Sequence, residues 1–260
     1  MKINKAGTVG FCLCFLAIIF GIATNGGIQT IGNFLNIPSF IVTVGGAIFA
    51  VLITSDSFED FKIGLHGFSY ALSESNTDVY EIINIIYQMS DTARKEGLLS
   101  LEEHAKNLPN EFLAKGVSLV VDGTDPELIR AILEAELEHK QETDKKQINF
   151  WQDFGAYSPA WGMVGTLIGL INMLKTIGSD SSAVGAGMAL ALITTLYGSL
   201  VANWICIPIT RKLEKRSSKE SLVKEIIIEG VLSIQAGENT RIIKEKIHAI
   251  VESEEQKKAA

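Results

Sequence analysis

Two long stretches of this 260-residue chain hold no acidic or basic side chain: residues 159–174 and 183–208 contain no Asp, Glu, Lys, Arg or His. Runs of that length exclude an ordinary surface helix, which keeps a polar face toward water. Cysteine is scarce as well, and the three present, Cys12, Cys14 and Cys206, all fall in apolar runs. They offer no disulfide framework and no metal-ligand spacing. The chain lacks a phosphate-binding glycine loop, a Ser, His and acid arrangement, and a basic stripe, so neither an enzyme nor a nucleic-acid binder is expected, and no cofactor. The carboxylates of Glu134, Glu136 and Glu138 read as a solvated helix face. A formal charge of −7 is concentrated in residues 56–146 and 211–258, yet the mean hydropathy is +0.24. Such segregation fits a membrane protein with a sizeable aqueous part.

What is present is helical throughout, and the expected fold class is all-α with four transmembrane spans. Apolar runs place these at about 6–24, 37–54, 154–174 and 183–209, each long enough at 1.5 Å per residue to cross a core of roughly 30 Å. A cleaved signal peptide is the rival reading of the first run, since Gly21 and Ala23 could flank a cleavage site. A second apolar run follows after a dozen uncharged residues, so a hairpin is simpler, with Pro38 opening its second helix. The expected organisation is a hairpin at 1–54, a cytoplasmic helical domain at 55–150, a second hairpin at 151–210, and a cytoplasmic C-terminal helix and tail at 211–260. Lys2 and Lys5 precede the first span and Arg211, Lys212, Lys215 and Arg216 follow the last, which puts both termini in the cytoplasm. Lys175, with Asp180 nearby, is the one basic residue of the outer turn between the third and fourth spans.

In the aqueous domain, Tyr80, Ile83, Ile86 and Tyr87 recur at helical spacing before Gly97, and Ser100 with Glu103 forms a capping-box pattern. Asp125 and Pro126 open a charged helix to about residue 147 with Leu128, Ile132, Leu133 and Leu137 on one side. After Pro208 the last span continues to residue 235, with Leu222, Ile226, Val231 and Ile234 facing inward. The tail from Glu252 is expected to fray.

The functional candidates lie in the two uncharged spans. Ala191, Thr195, Gly198 and Ala202 recur at steps of four, three and four on the fourth, and Gly162, Gly165, Thr166 and Gly169 make a similar face on the third. Small faces let helices approach closely in lipid. Two readings stay open: ordinary packing, with each threonine bonded to its own helix, or a lined path for an ion whose countercharge lies on another chain. Counted from Ala156 and Thr210, Thr166 lies about 15 Å deep and Thr195 about 22 Å.

Taken together, the span order, RKEGLLSLE at 94–102, LVVDGTDPELIRAILEAELE at 119–138, SPAWGMVGTLIGLINML at 158–174 and LITTLYGSLVANWICIP at 192–208 resemble the flagellar motor stator family of MotA and its sodium-motor relative PomA. The resemblance covers nearly the whole chain. It implies an inner-membrane homo-pentamer around a dimer of a single-span MotB or PomB partner, whose membrane aspartate binds the ion. A charge at bilayer depth costs at least about 3 kcal/mol on insertion scales, which this chain would avoid by supplying walls only. The resemblance further implies that Arg94 and Glu102 face the rotor protein FliG, where the plain alternative is a surface pair. Pro159 and Pro208 match the family's prolines tied to conformational change, and Thr195 matches the hydroxyl the family keeps facing the partner's aspartate, so Thr166, Thr194 and Thr195 are the expected ion-path residues. Sodium-driven members have threonine at the position of Thr166 where proton-driven ones have a small apolar residue, so Na+ is the expected ion and H+ the alternative. Rivals are an energiser of ExbB or TolQ type, which has three spans, and a non-conducting scaffold.

Overall fold

The computed structural model describes residues 5–73, 78–177 and 181–259; Lys2 and Asp180 lie outside them. Among the described residues, four helices are long and apolar enough to cross a membrane, at Lys5–Thr24, Ile37–Thr54, Pro126–Lys175 and Val184–Gln235. The chain divides into two compact units, Met1–Glu74 with Asp144–Glu214, and Ser75–Thr143 with Lys215–Ala260.

In the first unit the second span begins where Asn36 accepts the Ser39 N–H on its side-chain oxygen at 2.9 Å, with Pro38 in the first turn. A π turn occupies Ile41–Gly45 before the helix resumes at Gly46–Thr54. The helix Phe58–Leu72 is capped by Ser57, whose Oγ accepts from Asp60 N, while Glu59 and Asp60 complement the positive end of its dipole. This helix packs with the spans through Phe150, Trp151 and Phe154, and Trp151 donates from Nε1 to the Gly64 carbonyl at 2.9 Å. Gly64 and Gly46 admit no side chain: a Cβ there would fall inside the Phe150 and Trp161 rings.

The charged helix expected to stop near residue 147 does not stop. It is one helix with the third span, Pro126–Thr176, 51 residues long. Residues 148–153 contain no breaker, and Pro159 removes one ladder hydrogen bond without ending the helix. The fourth span is helical from Ser181 to Gln235, with a π turn at Val201–Cys206 in which the Ile207 N–H reaches back to Ala202 O. That wider turn makes room for the ring of Pro208, which a regular α turn would set against the carbonyl four residues earlier.

The second unit closes around Ile86, Leu101, Leu113, Ile129, Leu133, Ile226, Ile227, Ile243 and Ile247, all buried. Three expectations need correction. Leu128 is exposed and Ile129 takes the inward place, so the stripe runs 129, 133, 137 at steps of four. Ser100 forms no capping box: its backbone is already helical, and its Oγ turns back to donate to Gly97 O at 2.7 Å. The tail does not fray at Glu252, because the helix Thr240–Ala259 runs through it after the break at Gly237, whose φ is 68°.

Glu136 bridges two lysines of this unit, Lys115 at 2.7 Å and Lys224 at 3.4 Å. Partial burial pushes its pKa up, but the hydrogen bonds and charges of the two lysines outweigh it and hold the carboxyl below its ordinary value of 4.5. A depressed folded-state pKa contributes stability above the unfolded value, and this is lost as pH falls through the folded one. Glu136→Gln is therefore expected to lower stability at pH 7 by no more than about 1 kcal/mol, given solvent screening, and by less at pH 4. Thermal unfolding of both chains at the two pH values checks this.

Candidate functional site

The third and fourth spans cross on glycines. A Cβ on Gly162 would meet Thr194 O at 2.9 Å, one on Gly169 would meet Gly187 O and Ala191 N at 2.9 Å, and one on Gly165 would strike the Thr194 side chain. At the other end, Gly198 lies against Ser158 and Pro159. Helices this close place side chains on neighbouring turns within hydrogen-bond range.

Three hydroxyls meet there. Thr166 Oγ1 is 2.6 Å from Thr195 Oγ1 and 3.4 Å from Thr194 Oγ1. All three reach the Ala191 carbonyl, at 3.0 Å from Thr166, 2.9 Å from Thr194 and 3.4 Å from Thr195, and Thr166 also reaches its own Gly162 O at 3.1 Å. Each hydroxyl has one proton, so not all of these bonds can be donated together. A consistent set has Thr194 donating to Ala191 O, Thr166 to Gly162 O, and Thr195 to Thr166. The threonines bond to their own helices, as the packing reading expects, and also join across the crossing.

The small face on the fourth span is carried by different residues than the spacing suggests. Ala191, Thr194, Gly198 and Ala202 are buried, whereas Thr195 is exposed on the surface of the chain. Thr194 is 1% exposed and belongs to the packing; Thr195 keeps its outer side open. The two depths counted from the sequence also converge. Gly155 packs on Cys206, where a Cβ on the glycine would sit 3.0 Å from Cys206 Cβ. From that contact, eleven residues lead to Thr166 on one helix and eleven to Thr195 on the other, roughly 16 Å in each case. Both hydroxyls therefore stand at one level along the crossing. The earlier reference points, Ala156 and Thr210, were not level with each other.

One residue was missed. Thr43, fully buried on the second span, points its Oγ1 at Thr194 O at 3.5 Å. Its signal was readable: Ser39, Thr43, Ala47 and Val51 recur at steps of four along the span, and all four are buried. The Tyr197 phenol of the fourth span donates to Phe34 O and accepts from Asn36 N at 3.0 Å, tying the start of the second span to the fourth.

The remaining candidates stand apart from this cluster. Pro159 is exposed beside the Gly198 crossing, and Pro208 lines a separate cavity. In the second unit Arg94 and Glu102 are both exposed and do not pair: Glu102 bonds Lys106 at 3.1 Å, and Arg94 has no ionic partner among the described residues. No group of three His, Cys, Asp or Glu among the described residues could hold a metal. The threonine cluster offers neutral oxygens to a small cation and no charge of its own.

Comparison with known proteins gives a consistent answer. The profile of the MotA/TolQ/ExbB proton channel family matches residues 104–226. Motility protein A of Borreliella burgdorferi is 40% identical over 244 residues, which cover 94% of this chain and 92% of that protein. Chemotaxis protein PomA of Vibrio alginolyticus is 38% identical over 237 residues, 90% of this chain and 88% of that one. The flagellar MotAB stator complex of Bacillus subtilis contains a chain that superimposes with a TM-score of 0.83 at 28% identity, covering 99% of this chain and all of that one.

Proposed function

The chain belongs to the MotA/TolQ/ExbB proton channel family, among its motility protein A members, and we propose that it is a flagellar stator subunit whose third and fourth spans wall an ion path completed by a partner's carboxylate. The observation that carries this is the cluster of Thr166, Thr194 and Thr195 at mid-span, with no acidic or basic side chain on either helix at that depth. A cation needs oxygen ligands and a countercharge to cross hydrocarbon. The chain has the first and lacks the second, so a single-span subunit of MotB or PomB type supplies an aspartate facing the open side of Thr195.

In this reading five copies surround a partner dimer in the inner membrane, and ion flow turns the ring. Arg94, exposed and without an ionic partner among the described residues, and the exposed Glu102 meet the rotor protein FliG. Basic residues before the first span and after the fourth set both termini in the cytoplasm. The four candidate spans weigh against a three-span energiser of ExbB or TolQ type.

Sodium is the proposed ion. It must exchange water for oxygen ligands, and Thr166, 2.6 Å from Thr195, adds a second hydroxyl where a proton would need only the carboxylate. Swimming speed in a stator-deleted host carrying this chain with its native partner tests both levels. Speed that rises with external sodium and survives a proton uncoupler is expected, and Thr166→Ala should raise the half-saturating sodium concentration roughly tenfold, the loss of one polar contact to a charge. Speed indifferent to sodium and abolished by the uncoupler would keep the stator and reassign the ion to H+, leaving Thr166 a packing residue.

A further inference from the structure

Pro159 leaves a backbone oxygen of the third span without its donor. In a regular helix the N–H of residue 159 would bond the Gly155 carbonyl, and proline has none. At Pro208 the chain takes up the same gap by widening into a π turn, in which the Ile207 N–H reaches back to Ala202 O. Around Pro159 it does not: the helix stays α from Pro126 to Thr176. Nor does a side chain step in. Ser158, fully buried, donates to Phe154 O at 2.6 Å, and no side chain among the described residues bonds Gly155 O. Gly155 has no side chain to shade that oxygen and is only half-buried, with Cys206 as the one neighbour a Cβ there would meet.

An unpaired carbonyl facing hydrocarbon is costly, and within a membrane it is tolerated only where it is sealed in protein or lines a wet path. Pro159 is exposed on the surface of the chain, so packing within the chain does not seal the oxygen beneath it. Its place along the helix indicates a path. Gln152, Pro159 and Thr166 recur at steps of seven, which holds them on one edge with a drift of about 20° per step. That edge carries the Thr166 hydroxyl, 2.6 Å from the open Thr195, at one end and the exposed Gln152 at the other. Gly155 stands between them, eleven residues or roughly 16 Å from Thr166, on the side of the basic residues that follow the fourth span.

We infer that the Gly155 carbonyl is the cytoplasmic exit ligand of the ion path, kept open to the cation by Pro159. The inference rests on the sodium stator reading above. A sodium ion leaving Thr166 and Thr195 needs oxygen ligands until it regains its full water shell. A neutral carbonyl supplies one without the charge that would hold the ion back. In this assignment Pro159 acts through the N–H it lacks, and not through its ring.

The test is sodium flux into vesicles holding the full chain with its native partner, with sodium varied separately on the two faces. Sodium on the cytoplasmic face competes for the exit ligand and slows inward flux. Pro159→Ala supplies the missing N–H and occupies Gly155 O. The cytoplasmic sodium concentration giving half inhibition should therefore rise roughly tenfold, the loss of one polar contact to a charge, while the external half-saturating concentration holds. The second arm places lactic acid, the α-hydroxy analogue of alanine, at position 159. It has the side chain of alanine and an ester oxygen in place of the N–H, so the cytoplasmic constant should return to its native value. A proline acting through its ring predicts instead that lactic acid behaves as alanine does. That result, a cytoplasmic constant unchanged in Pro159→Ala, or a joint shift of both constants would overturn the inference and leave the stator reading standing. Proton flux without sodium flux in the native vesicles would remove the sodium reading, and this inference with it.

Discussion

Replacing Gly198 with alanine is expected to abolish swimming in a complemented stator-deleted host, although a single methyl group is all that is added. Its Cβ would stand 2.5 Å from Ser158 O and 3.0 Å from Pro159 Cα, both backbone atoms that no rotamer change can move aside. The third and fourth spans would have to part. Overpacking of this kind typically costs 1 to 3 kcal/mol, about the scale on which helix association in lipid is decided. The functional cost exceeds the stability cost, because Thr195 is one turn away and its 2.6 Å bond to Thr166 cannot survive a separation of about 1 Å. Gly185→Ala on the same helix is the control, since a Cβ there meets nothing within 4 Å, and it should swim normally. Equal swimming of the two variants would show that the close crossing is not required.

The second large effect separates two adjacent hydroxyls. Thr195→Val preserves shape and removes the oxygen that remains open on the surface of the chain, so ion flux should fall between 10-fold and 100-fold, the usual loss of about 1.5 to 3 kcal/mol for a polar contact to a charge. Its melting temperature should hardly move, and Thr195→Ser should restore most of the flux. Thr194→Val should do the reverse. Thr194 is 1% exposed, donates to Ala191 O at 2.9 Å, and has its own carbonyl against Gly162 and Thr43, so losing its hydroxyl should lower thermal stability. Flux in vesicles and thermal unfolding of the same preparations make the comparison. If the two variants behaved alike, the division between a path-lining and a packing threonine would fail.

How much of this was legible in the sequence depended on the range of the interaction. Uncharged runs of sixteen residues or more can hardly be anything but spans, and the breaks at Gly97, Asp125 with Pro126, and Gly237 follow from local backbone chemistry. The glycines of the third and fourth spans were readable as a packing face because helical spacing repeats along one chain. Local pattern was weaker where two signals competed. Ser100 with Glu103 has the form of a capping box, but the preceding 3-10 turn Leu98–Ser100 already holds Ser100 in helical geometry. Leu128 and Ile129 are equally apolar, and only the docking of the other helices of the unit chose Ile129.

The sequence by itself determined that the chain is helical, that four segments suit a membrane, and that hydroxyls without countercharge stand in two of them. Tertiary structure decided which hydroxyl is buried between helices and which stays open on the surface of the chain. Thr194 and Thr195 are neighbours of one kind, separated by 100° of helical turn, and no property of either predicts which one meets the glycines of the third span. The level of Thr166 with Thr195 and the arrival of Thr43 from a span 151 residues away from Thr194 are likewise consequences of how the helices dock. Spacing along one helix fixes only the angle of each side chain about its own axis; the axis separation and relative shift of two helices are set by the glycines and rings that meet between them.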